Sequence, residues 1–167
     1  MAMTNPIFLV GFMGSGKSTI GALLARELNA PFIDLDDDIE AAAGRTIAEV
    51  FAFDGEQRFR DIEHAALTRR VDAGGSAVIE LGGGAFTFAR NRELMRGRGT
   101  SIWLDCPFET AHRRVAGFSH RPLAKDPEKF RALFESRRGE YAKADLRIAI
   151  DSDDPAAAVR DILKSLR

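Results

Sequence analysis

An octapeptide near the amino terminus, Gly11-Phe12-Met13-Gly14-Ser15-Gly16-Lys17-Ser18, constrains this chain more than any other stretch. It follows the apolar run Ile7-Phe8-Leu9-Val10 and opens a pattern of helical periodicity. In that strand–turn–helix context G-x-x-x-x-G-K-S is a P-loop, a cradle for nucleotide phosphates. The glycines let backbone N–H groups converge on phosphate oxygens with no Cβ in the way, and the helix start adds partial positive charge. Lys17 is placed to reach the β- and γ-phosphates, and the Ser18 hydroxyl to ligate Mg²⁺.

A P-loop joins a buried strand to a helix, so the rest of the chain is expected to alternate the two, and it does. Ile20, Leu23, Leu24 and Leu28 share a helical face before Pro31. Phe32-Ile33-Asp34 reads as a second strand, followed by a short helix that stops at Gly44. Thr46 and Glu49 form a capping-box signature for a helix to about Phe53, where Gly55 resets the chain. A charged helix from about Glu56 to Val71 places Phe59, Ile62, Ala66 and Leu67 on one face. Ala77 to Leu81 and Ser101 to Leu104 read as third and fourth strands, separated by a polar helix from about Phe88 to Arg96.

Pro107 opens the next helix, Ala116 to Asp126 reads as a loop, and a helix from about Pro127 to Tyr141 carries Phe130, Leu133 and Phe134 inward. Leu146 to Ile150 is a fifth strand, and Val159, Ile162, Leu163 and Leu166 form a core stripe on the last helix. Five strands alternating with helices predict an α/β fold with a mostly parallel sheet. A length of 167 residues suits a single domain with a substantial core. With 24 basic and 25 acidic residues the net charge is −1, which gives no global reason to expect nucleic-acid or membrane partners. One cysteine, Cys106, leaves no intramolecular disulfide; with no signal peptide or membrane span in view, a cytoplasmic location is expected.

Ligands of parallel α/β sheets sit beyond the carboxyl ends of the strands. Three unusual features fall there: the P-loop, the pair Asp34 and Asp36, and the run Gly82-Gly83-Gly84. Two acids one residue apart after a strand can divide two tasks of phosphoryl transfer, supporting the metal and handling the acceptor hydroxyl. Asp37 and Asp38 read instead as a solvated, helix-capping turn. The triple glycine offers an open backbone that a ligand can approach closely. Arg58 and Arg60, two apart on a helix, point in different directions, so at most one faces the site; Glu63, three residues after Arg60, is placed to hold its guanidinium.

These features, in this order, resemble the shikimate kinase family. The segments that carry the resemblance are GFMGSGKSTIG, FIDLDDDIE, GRTIAEVFAFDGEQRFRDIE, LGGGA, HRPLA and the stretch from Arg137 to Tyr141, which together run from about residue 6 to residue 166. The resemblance implies a P-loop kinase fold, a three-layer α/β/α sandwich with a five-stranded parallel sheet in the order 2-3-1-4-5 and a mobile lid at about 116–126. It implies ATP-dependent phosphorylation of the 3-hydroxyl of shikimate, a step of aromatic amino-acid biosynthesis, with Mg²⁺, by a cytoplasmic monomer.

By that resemblance Gly14, Ser15, Gly16, Lys17, Ser18 and Thr19 bind ATP, and Asp34 supports the metal with Ser18. Asp36 binds the shikimate hydroxyls and is the candidate base. Arg60 and Arg137 clamp the shikimate carboxylate, and Gly82, Gly83 and Gly84 line the same pocket. Arg121, in the lid, reaches the phosphates on closure, and Arg114 and Pro155 flank the adenine. Two departures stand out. Gly139 occupies the place of the usual proline in the second clamp motif, which frees the local backbone and makes Arg138 a rival of Arg137. Ala124 replaces the commoner leucine after Arg121-Pro122-Leu123, and nearby Phe118 and His120 carry no assigned role. A kinase of another hydroxy acid, such as a gluconate kinase, and a non-catalytic nucleotide-binding regulatory module are the alternatives.

Overall fold

The computed structural model describes residues 3–117 and 126–167. Arg121 and most of the expected 116–126 lid, including Phe118, His120 and Ala124, lie outside the described residues. Five strands, β1 (Ile7–Val10), β2 (Phe32–Asp34), β3 (Val78–Glu80), β4 (Thr100–Asp105) and β5 (Leu146–Ala149), form one parallel sheet in the order β2-β3-β1-β4-β5. The helices are α1 (Lys17–Glu27), α2 (Leu35–Ala43), α3 (Ile47–Ala73), α4 (Ala89–Met95), α5 (Phe108–Ala116), α6 (Pro127–Tyr141) and α7 (Pro155–Ser165). This is the three-layer α/β/α arrangement and the strand order expected.

Central strands of such a sheet are covered on both faces, and every residue of β1 is buried accordingly. Its Phe8 and Leu9, with Ile79 of β3 and Ile102 and Leu104 of β4, form the middle of the core, and α1 packs against α7. Local chemistry sets the boundaries. The Asp34 side chain accepts the Asp36 N–H and starts α2, which ends at Gly44 in the left-handed conformation (φ 67°). Thr46 and Glu49 make the full capping box at the start of α3. Gly55, at φ 82° and ψ 173°, bends α3 into two segments where the sequence resets.

Three features differ from the sequence reading. A 3-10 turn, Ala85–Thr87, follows the triple glycine and is closed by the Gly82 and Gly84 carbonyls. β3 and β5 are shorter than the apolar runs that announce them, although hydrogen bonds to the neighbouring strands still reach Ala77, Leu81 and Ile150 at the ends of those runs. Asp38 is not a solvated turn residue: its carboxylate takes a two-pronged hydrogen bond from Arg70 (2.5 and 2.7 Å), tying α2 to α3. A partner 32 residues away leaves no local sequence signal.

Candidate active site

The strand order brings the carboxyl ends of β2, β3 and β1 side by side, and a cleft of about 860 Å³ opens there. Its walls include Gly14 to Thr19 without Ser15, then Asp34, Asp36, Arg60, the three glycines and Arg137; Arg114 and Pro155 line its other end. Apart from Arg121, every expected site residue therefore lines this cleft or, for Ser15, sits inside the loop that borders it.

The P-loop half is built from backbone. Gly14 (φ 80°) and Gly16 (φ 93°) adopt left-handed conformations, and a Cβ on Gly14 would lie 2.6 Å from the Ala111 carbonyl oxygen. Gly16 caps α1 with no side-chain hydrogen bond, so no side chain competes for the first N–H groups of the helix. Lys17 is 7 % exposed and folds back, its Nζ donating to the carbonyls of Gly11 (2.7 Å) and Phe12 (3.2 Å). The Ser18 hydroxyl donates to the carboxylate of Glu80 at 2.8 and 3.0 Å. Arg114 crosses the loop, donating to the Gly14 carbonyl (3.1 Å) and to Asp153 (3.0 Å).

The other half is built from side chains. Arg60 faces the cleft while Arg58 lines a separate surface groove, as their spacing requires. Arg60 lies against the rings of Phe59 and Phe88, each 5.0 Å from its guanidinium carbon, and donates to Glu63 at 2.9 Å. Glu63 is 1 % exposed. Burial raises its pKa against the opposing pull of Arg60. The glycine run is explained by the arginines. A Cβ on Gly84 would lie 2.5 Å from an Arg60 nitrogen, and one on Gly83 3.0 Å from an Arg137 nitrogen. The space left by the missing side chains is thus filled by two guanidinium groups, and the backbone that follows them is wound into the 3-10 turn.

Arg137 and Arg138 part company on α6. Arg137 enters the cleft beside Gly83 and the ring of Phe12. Arg138 turns to Trp103 and Asp105, donating to the Asp105 carboxylate at 2.7 Å, which Arg147 also holds. Gly139 stays within α6, so the missing proline does not unwind the segment. Tyr141, one turn on from Arg137, is buried and donates to the Gly83 carbonyl; burial pushes its phenol up to about 12 although Arg137 opposes this.

Acidic groups crowd the middle of the cleft. Asp36 is pushed up to about 6, first by burial and then by the charges of Asp34, Glu63 and Glu80, with Lys17 pulling the other way. Burial also raises Asp34, against the N–H bond from Asp36. Among the described residues, Ser15 Oγ, Arg60 Nε and Glu63 Oε2 are buried without a hydrogen-bond partner. All three belong to the P-loop or the cleft wall, where an incoming ligand can satisfy them. Glu80 is the site residue that the sequence reading passed over. A charged residue closing an apolar strand next to the P-loop strand was the signal that could have found it.

A five-stranded parallel sheet in this order, with a P-loop after β1 and acids after β2, defines a P-loop kinase fold. The family model for shikimate kinase matches residues 13–167. A shikimate kinase from Persephonella marina is 43 % identical over 162 residues, covering 96 % of this chain and 98 % of that protein. The structure of shikimate kinase from Acinetobacter baumannii in complex with shikimate superposes with a TM-score of 0.90 at 33 % identity, covering 99 % of this chain and 94 % of that one. A gluconokinase from Sinorhizobium meliloti shares the fold at a TM-score of 0.67 and 18 % identity, with 99 % of this chain and 93 % of that one covered. The chain belongs to the shikimate kinase family.

Proposed function

We propose that this protein is an ATP-dependent kinase that phosphorylates the 3-hydroxyl of shikimate in aromatic amino-acid biosynthesis. The observation that carries the reading is the single cleft that joins a P-loop to two arginines through a group of carboxylates. Gly14 to Thr19 hold the phosphates of ATP, and Lys17 exchanges the Gly11 and Phe12 carbonyls for phosphate oxygens. Arg114 and Pro155 flank the adenine. Arg60 and Arg137 clamp the shikimate carboxylate, a planar anion that suits guanidinium forks. Arg137 rather than Arg138 takes this role, since Arg138 is occupied by Asp105.

Ser18, Asp34 and their neighbours offer hydroxyl and carboxylate oxygens, the hard donors that Mg²⁺ prefers. Among the described residues no group of three histidine, cysteine, aspartate or glutamate side chains is arranged to hold a metal by itself. That fits an ion that arrives with nucleotide phosphates, held by Ser18 and Asp34, and supplies charge neutralisation there when bound. Asp36 accepts the proton of the 3-hydroxyl as that oxygen bonds to the γ-phosphorus and the bond to the β-phosphate oxygen breaks, leaving ADP. Its raised pKa makes it a better base than an ordinary aspartate while leaving it ionised near neutral pH. Arg121 brings a guanidinium charge to the transferred phosphoryl group.

A coupled ADP-release assay across shikimate, quinate, gluconate and nucleoside monophosphates tests the reading. Shikimate is expected to give the highest kcat/KM, with the product phosphorylated at the 3-hydroxyl. Preference for gluconate would move the assignment to another hydroxy acid, and no acceptor-dependent release at all would leave a nucleotide-binding module.

A further inference from the structure

We infer that Glu80 is a second carboxylate of the nucleotide-metal site, acting through Ser18 as a positioning residue. The inference rests on the proposed use of a divalent metal with the nucleotide. The topology supplies the first ground. β3 lies between β2 and β1, and Glu80 is its last residue, in register with Asp34 on one side and Leu9 on the other. It therefore stands at the carboxyl edge between the acid after β2 and the loop after β1.

The hydrogen bonding supplies the second ground. Ser18 Oγ lies 2.8 Å and 3.0 Å from the two Glu80 oxygens, so the hydroxyl proton is committed to this carboxylate. A hydroxyl whose proton is given away has only lone pairs left to present elsewhere, which is what a cation needs from it. Partners of this kind, which receive a proton from a ligand and fix its orientation, tune metal affinity strongly. Glu80 also adds a negative charge on the side of Ser18 and Asp34. A lone structural hydrogen bond to Ser18 would need no charge and could be served by any acceptor.

The test is calorimetric titration of the full chain with ADP, once with Mg²⁺ and once with EDTA, in the parent and in Glu80→Gln. The ratio of the two affinities measures what the metal contributes. In the parent, Mg²⁺ is expected to tighten ADP. In Glu80→Gln that tightening should fall by about 10- to 100-fold, the usual cost of losing a partner of a metal ligand. Affinity for metal-free ADP should hold or rise, because a negative charge near the phosphates has gone. Glu80→Asp, which keeps the charge on a shorter arm, should restore part of the tightening.

A Glu80→Gln protein with the full Mg²⁺ effect overturns the inference. Equal weakening with and without metal also overturns it, since Glu80 would then only shape the loop. Absence of any Mg²⁺ effect in the parent would instead overturn the underlying reading of a metal–nucleotide site, and this inference with it.

Discussion

The two halves of the cleft are built on opposite principles. On the P-loop side, Lys17, Ser18 and Arg114 each have a protein partner before any ligand arrives. In the proposed function Lys17 exchanges carbonyl oxygens for phosphate oxygens, while Ser18 keeps its bond to Glu80. On the acceptor side, Arg60 Nε and Glu63 Oε2 are buried without a hydrogen-bond partner, Arg60 Nε having only a 3.6 Å ion pair with Glu56, and Asp36 sits among three other acids. The difference matters for recognition. A phosphate is common to every nucleotide, and a preformed backbone cradle binds it with little rearrangement, even though one of its side-chain atoms, Ser15 Oγ, is buried without a hydrogen-bond partner. A particular hydroxy acid must be picked out, and unmet buried groups penalise any occupant that cannot pair with them.

The largest effect expected is on the P-loop side. Lys17→Met should lower kcat by about a thousandfold, the upper range for losing one group that stabilises transition-state charge. The fold should survive, because the hydrogen bonds of Lys17 to the Gly11 and Phe12 carbonyls lie within its own loop. ADP release measured alongside circular dichroism checks both parts; activity near the parent level would remove this loop from the chemistry. Next comes Asp36→Asn, expected to cost roughly a hundredfold in kcat, as for loss of a general base, while ATP binding persists. A change of only a few-fold would make Asp36 a group that positions substrate without taking its proton.

On the acceptor side the losses should appear in KM. Arg60→Ala should raise the shikimate KM at least tenfold; truncating one partner of a buried charge pair costs about 2–5 kcal/mol, part of it from the unpaired Glu63 left behind. Arg60→Lys should recover only a fraction, because an ammonium has no planar fork. Arg137→Ala should behave like Arg60→Ala. Arg138→Ala should leave KM alone and instead cost about 2 kcal/mol of stability, the scale of a hydrogen bond to a charged group, moderated because Arg147 still holds Asp105. Reversal of that contrast, with KM responding to Arg138, would place the wrong arginine in the clamp.

The sequence made the fold legible because each element carries its own local signal. The Thr46–Glu49 capping box, the Gly44 stop and the Gly55 break all act within a few residues, and all appear where expected. The P-loop and the Arg60–Glu63 pair are equally local. What stayed hidden needs contacts that close only in three dimensions. Asp38 finds Arg70 and Arg138 finds Asp105 across the fold. Glu80 meets Ser18 because β3 is threaded beside β1, a neighbour relation that no spacing along the chain records. The triple glycine signals close approach, and what approaches Gly83 and Gly84 in this structure is the protein's own guanidinium groups.

The smallest effect expected concerns what the acceptor side costs the protein when no ligand is bound. Asp36 has an ordinary carboxylate pKa of 3.8 when unfolded and about 6 when folded. The folded protein therefore holds the proton more tightly than the unfolded chain between those values. Stability from this group is full below about pH 4 and is lost as pH rises through about 6, where the ionised carboxylate faces Asp34, Glu63 and Glu80 with Lys17 as the opposing cation. Asp36→Asn removes that loss. In metal-free buffer at pH 7.5 or so the variant should be more stable than the parent by on the order of 1 kcal/mol, well under the full shift because solvent and mutual relaxation of the acids screen it. Loss of one acid from the first turn of α2 subtracts a few tenths of a kcal/mol, roughly, from the gain. Near pH 4 the advantage should vanish. Urea unfolding of both proteins at the two pH values checks this. A variant no more stable than the parent at the higher pH would mean that Asp36 is not strained by its neighbours, and that the acceptor half rests as easily as the P-loop half.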